Sequence, residues 1–226
     1  MKLDVVFQEA KCTFDAEFSR VQTASDGGFE RGYAEGYEKG NTEGYTKGHE
    51  DGAQKGYEQG AESLVLGEIE VFSSDKVTSF RQYMFQSCRK LKELNTPNLK
   101  TLGSCSCQNC TQLKEISFPN ITGAIATSVF NGCSSLEYAD VGNATQLQTS
   151  SFSNCNSLLT LILRNTKVVT LASASVLNNT PIRFGYGYVY VPKALVEQYK
   201  NATNWSTFAS QFRAIEDYPE IAGGGE

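Results

Sequence analysis

Four cysteines set the rhythm of this chain. Cys88, Cys110, Cys133 and Cys155 stand 22, 23 and 22 residues apart, and each opens the phrase Cys-x-x-Leu-x-x-apolar. The phrases read Cys88 to Leu91 to Leu94, Cys110 to Leu113 to Ile116, Cys133 to Leu136 to Ala139, and Cys155 to Leu158 to Leu161. A near-constant period of this length predicts a solenoid, in which each repeat is one coil that buries its apolar edge only by stacking on its neighbours. The expected function is therefore that of a surface, since such folds present extended faces to partners.

Other columns keep the same beat. Phe85, Cys107, Phe130 and Phe152 lie three residues before each ladder cysteine, and Asn98, Asn120, Asn143 and Asn165 recur at 22, 23 and 22 residues. An asparagine amide can satisfy the backbone groups of a turn, coil after coil. The ladder cysteines point into the core, where a thiol behaves as a small hydrophobe, so they are expected to be reduced and structural. Cys105, Cys107 and Cys110 also have the look of a metal clip. With no histidine nearby and Cys107 in a phenylalanine slot, the structural reading is preferred and no metal is expected.

Residues 28–63 carry a second pattern. Glycine recurs at every fourth position, Gly28, Gly32, Gly36, Gly40, Gly44, Gly48, Gly52, Gly56 and Gly60, and the next residue is often aromatic, as at Phe29, Tyr33, Tyr37, Tyr45 and Tyr57. Glu35–Lys39, Glu43–Lys47 and Asp51–Lys55 place acid before base at i,i+4, the order that favours a helix. Nine glycines, at about 1 kcal/mol each against alanine, would melt such a helix on its own. Close approach of a second backbone along the glycine stripe would hold it, which predicts a self-associating stalk of ~54 Å at 1.5 Å per residue. A flexible linker, or a helix packed on its own solenoid, are the alternatives. The stretch resembles the glycine-every-fourth-residue segment of the flagellar and type III export ATPase regulator, whose helices pair through such glycines.

The rest divides around these two features. Residues 1–27 alternate weakly and read as short strands, an anchor segment ending at Asp26-Gly27-Gly28. The solenoid spans 64–192, with an atypical first coil at 64–75, a degenerate fifth coil from Thr166, and a closing strand at Tyr186–Val191. Residues 193–226 read as a helical cap, with Trp205 and Phe208 over the open end, followed by a flexible tail. The fold class expected is α+β, a repeat solenoid preceded by a long glycine helix and a short N-terminal β segment.

The motifs Ser128-Val129-Phe130-Asn131-Gly132-Cys133-Ser134-Ser135-Leu136 and Ser151-Phe152-Ser153-Asn154-Cys155-Asn156-Ser157-Leu158 resemble the phrase of BspA-type leucine-rich repeats. Tyr188 to Pro192, followed by Tyr199 to Ser206, is similar to a cap found on many such proteins. The resemblance covers about two thirds of the chain. It implies a recognition or adhesion protein. The opening, Leu3 to Glu9 and Phe14 to Phe18, resembles the starts of phage and prophage structural proteins. Together these imply an oligomeric virion protein, tail- or fibre-associated, whose partners are itself, other virion proteins, and a host surface protein or glycan. A bacterial surface adhesin and an intracellular scaffold that docks through its glycine helix are the alternatives.

Charge and composition narrow the partners. A net charge of −5 argues against nucleic acid, and no apolar run approaches the ~20 residues of a membrane span. No signal-peptide pattern opens the chain, as expected for a protein released by lysis. The single histidine, His49, sits in the glycine segment, so no cysteine or serine of the repeats has a histidine beside it in sequence. No cofactor motif is present, and the chain is read as non-enzymatic. A paired-acid reading, Glu115 with Glu137 on adjacent coils, is the weaker alternative. The variable positions around the repeat strands, Lys92, Glu93, Lys114, Glu115, Glu137, Tyr138, Leu159 and Thr160, are the candidate contact residues.

Overall fold

The computed structural model describes residues 69–223. The N-terminal segment, the glycine stalk and residues 224–226 lie outside the described residues. Within them, every strand pair is parallel. Parallel pairing follows from the repeat itself, because each coil returns to its start one strand spacing further along and travels the same way.

One sheet line consists of the first strand of each coil. It runs β1 (Val71–Ser73), β3 (Glu93–Asn95), β5 (Glu115–Ser117), β7 (Tyr138–Asp140), β9 (Thr160–Ile162), β11 (Tyr188–Val191) and β12 (Phe212–Ala214). β1 pairs with β3, and β5 to β12 form one continuous sheet of five strands. A second line uses two-residue strands: β2 (Ser79–Phe80), β4 (Thr101–Leu102), β6 (Ala124–Ile125), β8 (Gln146–Leu147) and β10 (Thr170–Leu171). In β1, β3, β5, β7 and β9 the middle residue points inward, so Phe72, Leu94, Ile116, Ala139 and Leu161 are buried while Val71, Glu93 and Glu115 are exposed.

The third side of each coil is a tight turn built on left-handed residues. Tyr83, Cys105, Ser128 and Ser150 have φ between 55° and 62°, and four residues on, Ser87, Asn109, Gly132 and Asn154 have φ between 61° and 78°. This places the N–H groups of every other residue toward the following coil. Tyr83, Phe85 and Ser87 donate to the carbonyls of Ser104, Ser106 and Gln108, and Cys105, Cys107 and Asn109 donate to those of Thr127, Val129 and Asn131. The turn is thus a hydrogen-bonded ladder, and its left-handed strain is offset by an inter-coil bond at Tyr83, Ser87, Cys105, Asn109, Ser128, Gly132 and Asn154.

The cysteine ladder is the inner seam of these turns. Cys88, Cys110, Cys133 and Cys155 are fully buried, and the six cysteines among the described residues are free thiols. Each of the last three thiols donates to a carbonyl of the coil before it, Cys110 to Phe85, Cys133 to Cys107 and Cys155 to Phe130, all at 3.1 Å. Cys107 does occupy the phenylalanine slot. The aromatic contacts run past it through Phe118, whose ring stacks on Phe130 at 6.2 Å and meets Phe80 edge-on at 6.4 Å. The asparagine ladder also does the work expected of it. Asn98 donates to Asp75 O, Asn120 to Pro97 O, and Asn165 to Asn143 O.

The C-terminal end departs from the expectation in three ways. The closing strand begins at Tyr188 rather than Tyr186, because Tyr186 belongs to a turn in which its N–H donates to Pro181 O. The segment beyond Pro192 supplies a strand as well as helices: after a helix at Val196–Asn201 and 3-10 turns over Trp205–Gln211, β12 returns to pair with β11. Ala222, expected in the tail, ends a short helix at Pro219–Ala222. Trp205 and Phe208 are buried at the end of the stack, joined by Tyr199 and Phe212. Trp205 Nε1 donates to Val169 O, and Tyr199 Oη accepts from Val169 N, which ties this aromatic plug to the fifth coil. No helix among the described residues is long and apolar enough to cross a membrane.

Candidate binding surface

The candidate residues fall on the first sheet line, in two columns. Lys92, Lys114, Glu137 and Leu159 stand one residue before their strands; Glu93, Glu115, Tyr138 and Thr160 are the first strand residues. Register sets Glu115 beside Tyr138 and Tyr138 beside Thr160. The two acids once paired by sequence therefore belong to different columns, with Glu115 next to an aromatic ring rather than to Glu137. Lys92 bonds Glu70 of the preceding coil at 2.7 Å, a solvated pair worth little to stability.

The outer face of this sheet is not uniform. At β1, β3 and β5 it is open, with Ser73, Asn95 and Ser117 exposed beside Val71, Glu93 and Glu115. From β7 onward the C-terminal segment covers it. Ile215 and Ile221 pack on Ile162 and Tyr190, with Tyr138 and Tyr218 at the margin. Arg164 fastens this strap: its Nε donates to Asp140 Oδ2 at 2.7 Å and its Nη2 to Ile221 O at 2.8 Å. The other carboxylate oxygen of Asp140 accepts from Gly142 N, so the buried acid is fully engaged. Burial pushes the phenols of Tyr138 and Tyr190 up, and the nearby Asp140 carboxylate adds to the effect at Tyr138.

Of the three cysteines that have the look of a metal clip, Cys107 and Cys110 hydrogen-bond to each other. Cys107 and Cys110 are buried in successive core slots, whereas Cys105 sits half-exposed on the left-handed turn. Burial raises the thiols of Cys105, Cys107, Cys133 and Cys155 above the usual range. Among the described residues no group of three or more His, Cys, Asp or Glu side chains is placed to hold a metal ion.

A feature not singled out from the sequence lies at the strand starts of the last coils. Five large hydrophobic side chains are exposed among the described residues, and four of them are Leu159, Phe184, Tyr186 and Tyr188. Leu159 and Tyr188 lie on paired strands, and Phe184 and Tyr186 stand four and two residues before Tyr188. Tyr188 N donates to Leu159 O at 2.8 Å, and Gly187 is so close to that strand that an added Cβ would lie 2.7 Å from Leu159 O. The cause is a local lengthening of the repeat. Five residues separate each ladder cysteine from the strand it leads to, as in Cys155 to Thr160. In the fifth coil buried Thr180 takes the cysteine slot, its hydroxyl donating to Leu177 O, and eight residues run to Tyr188. The added length carries Phe184 and Tyr186 out of the wall of the solenoid. Two signals for it were present in the sequence: the lengthened interval, and the run Phe184-Gly185-Tyr186-Gly187-Tyr188, in which rings alternate with residues that have no side chain.

The bulge is held by its own backbone. Arg183, Phe184, Gly185 and Tyr186 donate to Thr180, Pro181, Ile182 and Pro181 respectively, and Gly185 takes φ of +86°, a conformation open to glycine. Tyr188 is braced on one face, with the Arg213 guanidinium over its ring at 4.1 Å from the centre. Arg213 is itself anchored through Nη1 to the carbonyls of Ser210 and Phe212.

Comparison with known proteins agrees with this architecture. The family model for the BspA type leucine rich repeat region matches residues 66–183 in six copies, more than half of the 226 residues. Among solved structures, a leucine rich cell surface protein from Faecalibacterium prausnitzii is similar at 25% identity with a TM-score of 0.45, over 55% of this chain and 32% of that one. The match thus spans about a third of that longer protein. The curated proteins contain no match. On its repeats and the coils they build, the chain belongs to the BspA-type leucine-rich repeat family.

Proposed function

We propose that this is a non-enzymatic recognition protein whose solenoid end contacts a partner surface. The observation that carries the reading is the exposure of Phe184, Tyr186 and Tyr188 on the lengthened fifth coil, with Leu159 exposed on the coil beside it. Insertions in repeat proteins collect on one face, often the binding face, and an exposed apolar patch marks an interaction site. The glycine segment at 28–63 would multiply this contact by self-association, so that several weak sites act together.

The chain is proposed to work on a phage particle, as a tail- or fibre-associated protein that meets a host surface or a neighbouring virion protein. The support is the resemblance of its opening residues to phage structural proteins. An adhesin on the bacterial surface is the second reading, and the recognition or adhesion role that the resemblance to BspA-type repeats implies favours it. Quantitative mass spectrometry of purified particles, cell envelopes and cytosol tests the location. Enrichment in particles supports the virion, enrichment in envelopes the adhesin, and recovery from cytosol alone overturns both. Binding of the labelled full chain to whole cells tests recognition itself, which fails if no cell type retains the protein.

A further inference from the structure

We infer that the Phe184–Tyr188 bulge is a saccharide platform: Phe184 and Tyr186 stack on pyranose rings, while Tyr188 braces the site. This deepens the recognition reading above and rests on it.

The argument starts from what these side chains offer. Phe184 is 66% and Tyr186 77% exposed, and Tyr186 lies between Gly185 and Gly187, so its ring is flanked by no side chain from its chain neighbours, while Phe184 has one only on its Arg183 side. An aromatic face carries partial negative charge. The face of a pyranose presents several C–H bonds with partial positive charge, while its hydroxyls point outward to water. A flat, wet ring next to polar groups suits this ligand, and a deep apolar pocket does not. Polar groups are at hand. The Gln211 amide lies beside Gly185, with its nitrogen 3.6 Å from where a Cβ would stand, and bonds Ser210 Oγ.

Size and rigidity point the same way. Three rings and one leucine at these exposures offer on the order of 400–500 Å². That matches one or two sugar units and falls well short of the about 800 Å² each partner gives to a standard protein interface. Sugar contacts are individually weak, so they are useful only if the site is ordered beforehand. The four turn hydrogen bonds and the Arg213–Tyr188 contact order it without a ligand.

The test uses the full chain, its Phe184→Ala and Tyr186→Ala variants, and Tyr186→Phe. The probes are an immobilised set of bacterial polysaccharide repeats and host-type oligosaccharides, together with whole cells before and after periodate, which cleaves sugar diols. The expected result is binding to at least one pyranose probe, weakened at least tenfold in both alanine variants and largely kept in Tyr186→Phe, with periodate-treated cells no longer bound. Circular dichroism should be unchanged, since both side chains face solvent. Cell binding that survives periodate yet is lost in Tyr186→Ala overturns the saccharide and leaves the recognition reading standing. Alanine variants that bind every probe as the parent does overturn the platform. A parent chain that binds neither probes nor cells overturns the recognition reading as well.

Discussion

The thiol of Cys133 donates to the main-chain carbonyl of Cys107, 26 residues earlier, at 3.1 Å. The same contact recurs from Cys155 to Phe130 and from Cys110 to Phe85. This explains why cysteine, rather than alanine or valine, marks the seam. The slot needs a small apolar body and also a weak donor aimed at the previous coil. Cys133→Ala and Cys133→Val should each destabilise, by about 1–3 kcal/mol, the first through a cavity and the lost bond, the second through crowding. Urea denaturation of the two variants checks this, and values within error of the parent would remove the thiol's role.

Cys110 aside, whose thiol is held down to about 5 by hydrogen bonds with Cys107 and Cys133, the burial of Cys107, Cys133 and Cys155 makes stability depend on pH in one direction. Their folded-state values are raised above the ordinary range, most clearly for Cys107, Cys133 and Cys155. Unfolded thiols ionise near 8.5, so above that pH the unfolded chain holds fewer protons than the folded one. The contribution is complete below about pH 8.5 and is lost as pH rises from there toward the folded values. The urea midpoint should fall steadily between pH 8 and pH 10. A midpoint that rises over that interval would contradict the buried, protonated seam.

Alkylation separates the same cysteines by position. In native protein the half-exposed Cys105 should react with iodoacetamide, slowly because burial raises its thiol, while Cys107, Cys110, Cys133 and Cys155 stay protected until denaturant is added. Peptide mapping by mass spectrometry gives the order. Modification of Cys133 ahead of Cys105 would show that the seam is open.

Phe118 meets Phe80 and Phe130 where Cys107 interrupts the phenylalanine column, so the two positions are expected to compensate in volume. Cys107→Phe alone should overpack the second coil and cost about 1–3 kcal/mol, and Phe118→Val alone should leave a cavity costing about 2–4 kcal/mol. The double variant restores the phenylalanine column seen at Phe130 and Phe152, so its cost should be well below the sum. A double-mutant cycle in urea measures the coupling, and strict additivity would separate the two sites.

Arg164 is the clasp of the C-terminal strap. Arg164→Met keeps much of the side chain but leaves Asp140 buried without its cation. The expected loss is about 3 kcal/mol, at the low end for a broken buried pair because Arg164 is partly exposed. Hydrogen exchange at Ile221 and Ala222, whose N–H groups bond Tyr218 O, should speed up before the repeats do. Equal acceleration throughout would mean that Arg164 serves the whole solenoid instead of the strap.

Periodicity alone made the coils legible. Cysteine, leucine, phenylalanine and asparagine recur at 22 or 23 residues, and a core that repeats in space must repeat in sequence, because each coil solves the same packing problem. Even the Cys107 exception could be read as a slot. The aromatic plug at Trp205 and Phe208 was legible for a related reason, since an open solenoid end must be covered. What the tertiary structure decided lies where the repeat stops. β12 pairs with β11 across some twenty residues of helix and turn, and Arg164 reaches Ile221, 57 residues away. No period announces such contacts, because each is made once. The strap also decides which strand positions remain open, covering the face beside Tyr138 and leaving Glu93 and Glu115 to solvent. Tyr188 faces outward because three extra residues follow Thr180, and only the register of β9 against β11 shows where they went. Local pattern therefore determines a repeating core, while non-repeating contacts determine the surface, since they depend on distances that the chain acquires only once the coils have stacked.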